Sequence, residues 1–284
     1  MSKHTKLFTI LGVVFILLGG ILAGIGYFSG GSFSFAIDVK NREFLVYSKE
    51  YFETKTIEFD EASSITLDID SADIRIKQGK TFSIKYTLHK SALPTITENN
   101  DNLVITQKNK SSYFMMNFSF STIDEYIEIT VPKDYKLSNL KINSDHSSNI
   151  NISDITCTKI EIDTDFGNIT VNDFSTNTAD FYTNCGDIKA SNFSTDTADF
   201  RTEYGNIKAS GFSTDSTDFY TNYGDIKIQD ITNDYNITYK TELGDILIND
   251  KTLEDVSGVY NPISQSNKNI SVKTEYGNIK LNIK

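Results

Sequence analysis

Six times in this chain a glycine is followed by Asn or Asp and then by Ile: at Gly167, Gly186, Gly205, Gly224, Gly244 and Gly277. The first four stand 19 residues apart, the fifth follows after 20 and the sixth after 33. An insertion around residues 251–267 therefore splits the last interval. A fixed period of this length dictates architecture before any single motif is read. One unit of this size cannot bury an apolar face by itself, whereas stacked copies can.

Alignment on the glycine gives columns. Two residues after it stand Ile169, Ile188, Ile207, Ile226, Ile246 and Ile279, and seven after it Phe174, Phe193, Phe212 and Ile231. Four after it the column is small or aliphatic, with Ala190 and Ala209 at its centre. Five before it are Ile162, Phe181, Phe200, Phe219, Tyr239 and Val272, and three before it is Thr in every copy. The residue just before the glycine is Phe166, Cys185, Tyr204, Tyr223, Leu243 or Tyr276. These columns alternate with polar ones, the period of a strand with one buried face, and we place all of them inward. Each unit then reads as strand, tight turn at Gly-Asn/Asp, strand, and a second turn in Ser/Thr/Asn/Asp-rich stretches such as 191–197. No helical segment separates the strands, which excludes βαβ units. The expected fold is all-β, a single-stack β-solenoid of about 19-residue two-strand repeats, with like residues above like at about 4.8 Å.

The pattern continues upstream in weaker form. Ser148-Asn149-Ile150 stands where a seventh turn belongs, with Ser147 as a one-residue insertion. Residues 64–79 read as an early two-strand unit, and 82–88, 103–107 and 126–131 as further strands. Degenerate end repeats are expected, because they cap an otherwise open stack. We divide the chain into a cytoplasmic amino terminus (1–6), a transmembrane anchor (7–28), a linker or leading strand (29–54) and the solenoid (55–284).

The anchor rests on 22 uncharged residues, Leu7 to Phe28. As a helix they span roughly 33 Å at ~1.5 Å per residue, enough for a bilayer core. Lys3, His4 and Lys6 precede them and the next charge is Asp38, which keeps the amino end in the cytoplasm and the body outside the cell. A cleaved signal peptide is the competing reading, but its apolar region would exceed the usual ~7–15 residues and no A-x-A site follows. Gly20 and Gly24 form a G-x-x-x-G that would let two such helices approach closely, the basis for expecting a homodimer contact through the anchor. Glycine is also common in membrane helices generally.

Composition narrows the function. With 27 Lys+Arg against 38 Asp+Glu, the net charge of -11 argues against nucleic acid, which demands clustered cations. Three His and two Cys leave little for a metal centre or a disulfide scaffold, and no cofactor is expected. A glycan-active β-helix enzyme would need one convergent set of carboxylates. The acids here recur in register instead: Glu161, Asp180, Asp199 and Asp218 six before the glycine, and Asp187, Asp225 and Asp245 just after it. Repeated carboxylates are the outward face of a repeat, so we expect no enzyme. Calcium could bridge the Asp/Asn turns, but the specific G-G-x-G-x-D repeat is absent.

One outward column is less bland. Four before the glycine it runs Asp163, Tyr182, Arg201, Tyr220, Lys240 and Lys273, which sets Arg201 between two tyrosines. Such a row could bind sugar rings or a peptide, or could merely stack coil on coil. Tyr182, Arg201 and Tyr220 are the candidate binding surface. Lys189, Lys208, Lys227 and Lys280 form a basic row beside it. Cys157 falls in a loop column and Cys185 in a core column, so two free thiols are expected, the second buried. In residues 113–120, Phe114, Met116, Phe118 and Phe120 share one parity, the mark of a half-buried strand capping the stack.

The stretch TIEFDEASSITLDIDSADIRIKQGKTFSIKYT, then IEITVPKDY, then the iterated [FYL]-G-[ND]-I-x-[VAIL], resembles the bacterial putative-adhesin β-strand-repeat family, a domain of unknown function. The resemblance covers about residues 55–284 and implies an extracytoplasmic β-solenoid on a Gram-positive-type membrane. It carries over no catalytic or ligand residues. The expected role is non-enzymatic adhesion or envelope interaction, with a cell-envelope or host surface ligand as partner. The alternative is a regulatory or scaffold protein of the envelope-stress (antimicrobial-peptide) response, working through a membrane protein partner.

Overall fold

The computed structural model describes residues 3–29, 34–38, 42–46, 49–99, 101–108, 113–117, 123–146, 148–260 and 266–284. They fall into two compact units, Met1–Phe52 with Lys110–Asp124, and Glu53–Asn109 with Glu125–Lys284.

The first unit holds the helix Lys3–Phe28 and a three-stranded antiparallel sheet. Its segment Phe8–Phe28 has a mean hydropathy of 2.6 with no part of it buried, so by length and composition it can cross a membrane. In the sheet, Ser34–Asp38 lies between Glu43–Val46 and Tyr113–Asn117. The strand Tyr113–Asn117, expected as a cap on the stack, pairs instead with Ser34–Asp38 within the first unit. Phe118 and Phe120, like Ser147, lie outside the described residues.

The second unit is the solenoid, with twenty strands in one continuous sheet. Its regular coils are the 17-residue strands Ile169–Cys185, Ile188–Tyr204 and Ile207–Tyr223, paired in parallel and in perfect 19-residue register. Phe181, Phe200 and Phe219 stack inside at 5.0–5.1 Å between centroids, as do Phe174, Phe193 and Phe212. Each such ring removed from water contributes roughly 1.5–3 kcal/mol. Ala190 and Ala209 leave the room these rings fill, since a narrow core needs small residues opposite large ones.

The coil has three faces and not two. Between Ala190 and Phe193, and again between Thr195 and Ala198, two consecutive residues are not buried, which marks a corner. At the first of these corners one residue takes a left-handed conformation, Asp173 and Asn192 in successive coils and Gly211 in the next. The stretch expected to be a second turn is thus a single bent residue followed by a short face that buries Phe193 and Thr195. Thr195 Oγ1 donates to the carbonyls of Asn177 in the preceding coil and Thr197 in its own, which satisfies a buried hydroxyl and ties coil to coil.

The Gly-Asn/Asp corner is the tightest. A Cβ on Gly186 would lie 2.0 Å from the Gly167 carbonyl oxygen, and a Cβ on Gly205 1.9 Å from that of Gly186. Only hydrogen fits between successive backbones here. The threonine three before each glycine closes the same contact: Thr183, Thr202 and Thr221 donate to the carbonyls of Gly167, Gly186 and Gly205.

The coils do not stack in chain order. At the carboxyl end Lys268–Tyr276 pairs with Ile207–Tyr223 on one side and with Tyr235–Leu243 on the other. Ile279–Ile283 likewise sits between Ile226–Ile231 and Ile246–Ile248. The last coil of the sequence is therefore the second-to-last of the stack. The corner side chains show why. In spatial order they read Asp73, Asn149, Asn168, Asp187, Asn206, Asp225, Asn278, Asp245, each accepting on Oδ1 from the backbone N–H of the next. From Asn168 onward Asn and Asp alternate strictly. In chain order Asp225 would lie against Asp245, two carboxylates one strand spacing apart. With Asn278 between them, its Nδ2 donates to Asp225 and no two carboxylates adjoin.

Both ends of the stack are closed by antiparallel strands. At the amino end Thr95–Asn99 covers Asn102–Gln107, and Phe82–His89 covers Tyr126–Pro132. At the carboxyl end Ser257–Tyr260 covers Tyr235–Leu243, and Lys251–Thr252 covers Ile246–Ile248. The insertion read from the sequence is this second cap, which protects an edge otherwise open to further pairing.

Candidate functional site

Strand pairing sets Tyr182 against Arg201 and Arg201 against Tyr220, so the three candidate residues occupy consecutive rungs of one outward row. Beyond Tyr220 the row continues with Lys273 and then Lys240, the reverse of their chain order. Arg201 does not lie on either ring. Its Nε donates at 2.8 Å to Oδ1 of Asp199, two residues earlier on the same face, and its Nη2 donates to Oδ2. Tyr220 is held by the neighbouring strand Lys268–Tyr276, with Lys273 Nζ 5.2 Å above its ring and its hydroxyl donating at 3.1 Å to Glu275. Burial, then the bond to Glu275 and the surrounding carboxylates, push its pKa up to about 12. Burial and Glu203 raise Tyr182 in the same direction.

One row over stand Glu161, Asp180, Asp199 and Asp218, each the register partner of the next. A shallow groove of about 420 Å³ runs along this face, lined by Lys159 and the three aspartates. Lys141 at 2.5 Å and Lys159 at 2.8 Å hold the Glu161 carboxyl below its ordinary range. Asp180 goes the other way, raised by partial burial and by Asp199 and Glu161 on either side. The row offers carboxylates repeated at one strand spacing, not one convergent pair. Among the described residues, no group of three or more His, Cys, Asp or Glu is arranged to hold a metal ion.

A second outward row stands where the alternation places core. The residue before each corner glycine faces solvent: Phe166, Tyr204, Tyr223, Tyr276 and Leu243 are all exposed, and Cys185 is half-exposed. The rings of Tyr204 and Tyr223 stack at 5.2 Å and 3°, those of Tyr223 and Tyr276 at 4.8 Å and 4°. Cys157, read as a loop residue, is the buried thiol, and burial raises its pKa. The cause of the first correction is the corner: alternation counted on from Thr202 skips Glu203 and puts Tyr204 inside, but at a corner both residues turn outward. Cys157 is buried because it stands in the column of Thr176 and Thr195 on the short face.

A model of the Toastrack DUF4097 family matches residues 62–256, more than half of the chain. The chain belongs to the Toastrack DUF4097 family. Solved structures are similar to the chain at low identity. A putative adhesin from Bacteroides fragilis is 15% identical, with 81% of this chain and 96% of that one covered and a TM-score of 0.45. A putative cell adhesion protein from Clostridium sporogenes is 14% identical over 82% and 99%, at 0.38. A putative lipid binding protein from Parabacteroides distasonis is 14% identical over 82% and 96%, at 0.39. No curated protein matches the sequence. In this Toastrack chain, then, chemistry must be argued from the displayed rows: a Tyr–Arg–Tyr row, a carboxylate row, a lysine row and an exposed aromatic ladder.

Proposed function

We propose that this Toastrack chain is a non-enzymatic binding module, held at the outer face of the cell membrane by its amino-terminal helix, that engages a cell-envelope or host surface ligand. The observation that carries the reading is the run of Tyr182, Arg201 and Tyr220 on consecutive rungs of an outward face. Repetition at one strand spacing suits a repeating or extended ligand, because each rung offers an equivalent contact. The iterated carboxylates support a binding role over a hydrolytic one, since catalysis rests on one distinct pair. In this reading residues 1–6 are cytoplasmic and 7–28 cross the membrane, supported by Lys3, His4 and Lys6 before the span. Gly20 and Gly24 have nothing within 4 Å of an added Cβ, which leaves room for a second helix.

The test is a triple variant, Tyr182→Ser, Arg201→Gln and Tyr220→Ser, of the full-length protein in detergent. Binding to purified wall glycan should weaken by about tenfold or more, the loss of two aromatic contacts and a cation. Binding equal to wild type removes this surface.

A further inference from the structure

The exposed ladder lacks one rung. Phe166 pairs in register with Cys185, and Cys185 with Tyr204, so a small side chain occupies the place between two rings. Tyr204 gives one face to Tyr223, and its other face looks onto the Cys185 rung. At ~4.8 Å per strand, Phe166 and Tyr204 bound a gap of about 10 Å, two rung spacings. Exposure follows the gap: Tyr204 is 55% exposed, against 44% and 45% for Tyr223 and Tyr276, which have ladder neighbours on both sides. We propose that this gap is a binding slot for one aromatic side chain of a basic polypeptide partner, seated over Cys185 between Phe166 and Tyr204.

The ladder itself shows what fits. Wherever an aromatic ring occupies a rung beside Tyr223, it stacks parallel at 4.8–5.2 Å. A partner's ring entering at the Cys185 rung would meet both neighbours at that spacing and complete the row. Charge selects the surroundings of that ring. Asp165 and Glu203 flank the slot one residue before Phe166 and Tyr204, and Asp187 lies two residues after Cys185. Among the described residues none of these three carboxylates belongs to an ion pair. Lys189, two residues beyond Asp187, and its register partner Lys208 oppose them, two cations against three carboxylates, because Arg201 is bound to Asp199. An aromatic residue with Lys or Arg beside it therefore matches the slot, and one with Asp or Glu beside it does not.

The chain contains no Trp, so the fluorescence of a Trp probe reports the probe alone. The experiment titrates Lys-Trp-Lys amide with the full-length protein in zwitterionic detergent. Saturable binding is expected for wild type and for Cys185→Ala, which keeps the slot open. Cys185→Tyr fills the rung with the residue the same column already carries at 204, 223 and 276, so it should fold as wild type by circular dichroism yet lose the binding. Phe166→Ala and Tyr204→Ala should each weaken it roughly two- to tenfold. Asp-Trp-Asp amide should bind more weakly than the basic probe. Equal binding by wild type and Cys185→Tyr overturns the proposal, as does absence of saturable binding to wild type. Slot-dependent binding of a neutral β-linked oligosaccharide in place of the basic probe would overturn it in favour of a sugar site.

Discussion

Asn206→Asp tests the explanation given for the order of the coils. Asn206 lies between two carboxylates. Its Nδ2 donates at 3.1 Å to Oδ1 of Asp187, and its own Oδ1 accepts at 2.9 Å from the N–H of Asp225. The substitution keeps the acceptor, removes the donor and creates three carboxylates in a row. Each new like-charge contact at ~5 Å costs about 1 kcal/mol in a water-like environment and about 3 kcal/mol at an effective dielectric of ~20. Losing a donor to a charged acceptor costs about 1.5–3 kcal/mol. At this half-exposed corner the sum is roughly 3–5 kcal/mol, or a fall of roughly 6–20 °C in the melting temperature for a body of this size. The sign with pH follows from linkage. The introduced carboxyl has a folded pKa raised above its unfolded one, so the penalty is full above the folded value and vanishes below the unfolded carboxylate range. Protonation also restores a donor toward Asp187. Thermal unfolding of the full-length protein, followed by circular dichroism from neutral to acid pH, should show a deficit that closes on acidification. Asp225→Asn, which keeps its acceptor for Asn278, should stay within about 1 kcal/mol of wild type. A variant as stable as wild type at neutral pH, or a deficit indifferent to acid, would refute the ladder argument.

Two glycines should behave in opposite ways in the same unfolding assay. Gly186→Ala forces a Cβ onto the Gly167 carbonyl and should cost more than about 3 kcal/mol, whereas Gly211→Asn adopts the left-handed corner that Asn192 already occupies and should be tolerated. The thiols should separate as well: a maleimide should label half-exposed Cys185 in the native protein and reach Cys157 only on unfolding, as mass mapping of the two peptides would show.

Much of the solenoid is legible in the chain because the register is so regular. Ile188, Phe193 and Phe200 recur at fixed offsets, and an alternation of period two can bury only one side of a strand. Three features escape this reading for separate reasons. The stretch from Ser191 to Thr197 carries the composition of a loop, yet needs only one left-handed residue to bend and then buries Phe193. The residue before each glycine breaks parity, because two neighbours face outward at a corner, and this hid both the tyrosine ladder and the exposure of Cys185. The coil order is not a local property at all. Its one trace in the sequence is the succession Asp225, Asp245, Asn278, which alternates only after the last two are exchanged. Of the candidate surface, the rung positions of Tyr182, Arg201 and Tyr220 follow from the period. The capture of Arg201 by Asp199 depends on side-chain conformation, which periodicity does not encode.

The exchanged coils also bear on the route by which the body is completed. A repeat protein in which each unit rests on the one before it can accrete as the chain emerges. Here Tyr235–Ile248 has no such support in place when it is made: its neighbour is Lys268–Ile283, a segment that follows it in the chain. Until then the Ser216–Tyr223 part of the edge stays bare and the cap has no completed stack to close. Closure of this end waits for Lys268–Ile283, so that a chain interrupted before Lys268 keeps an unfinished, adhesive edge.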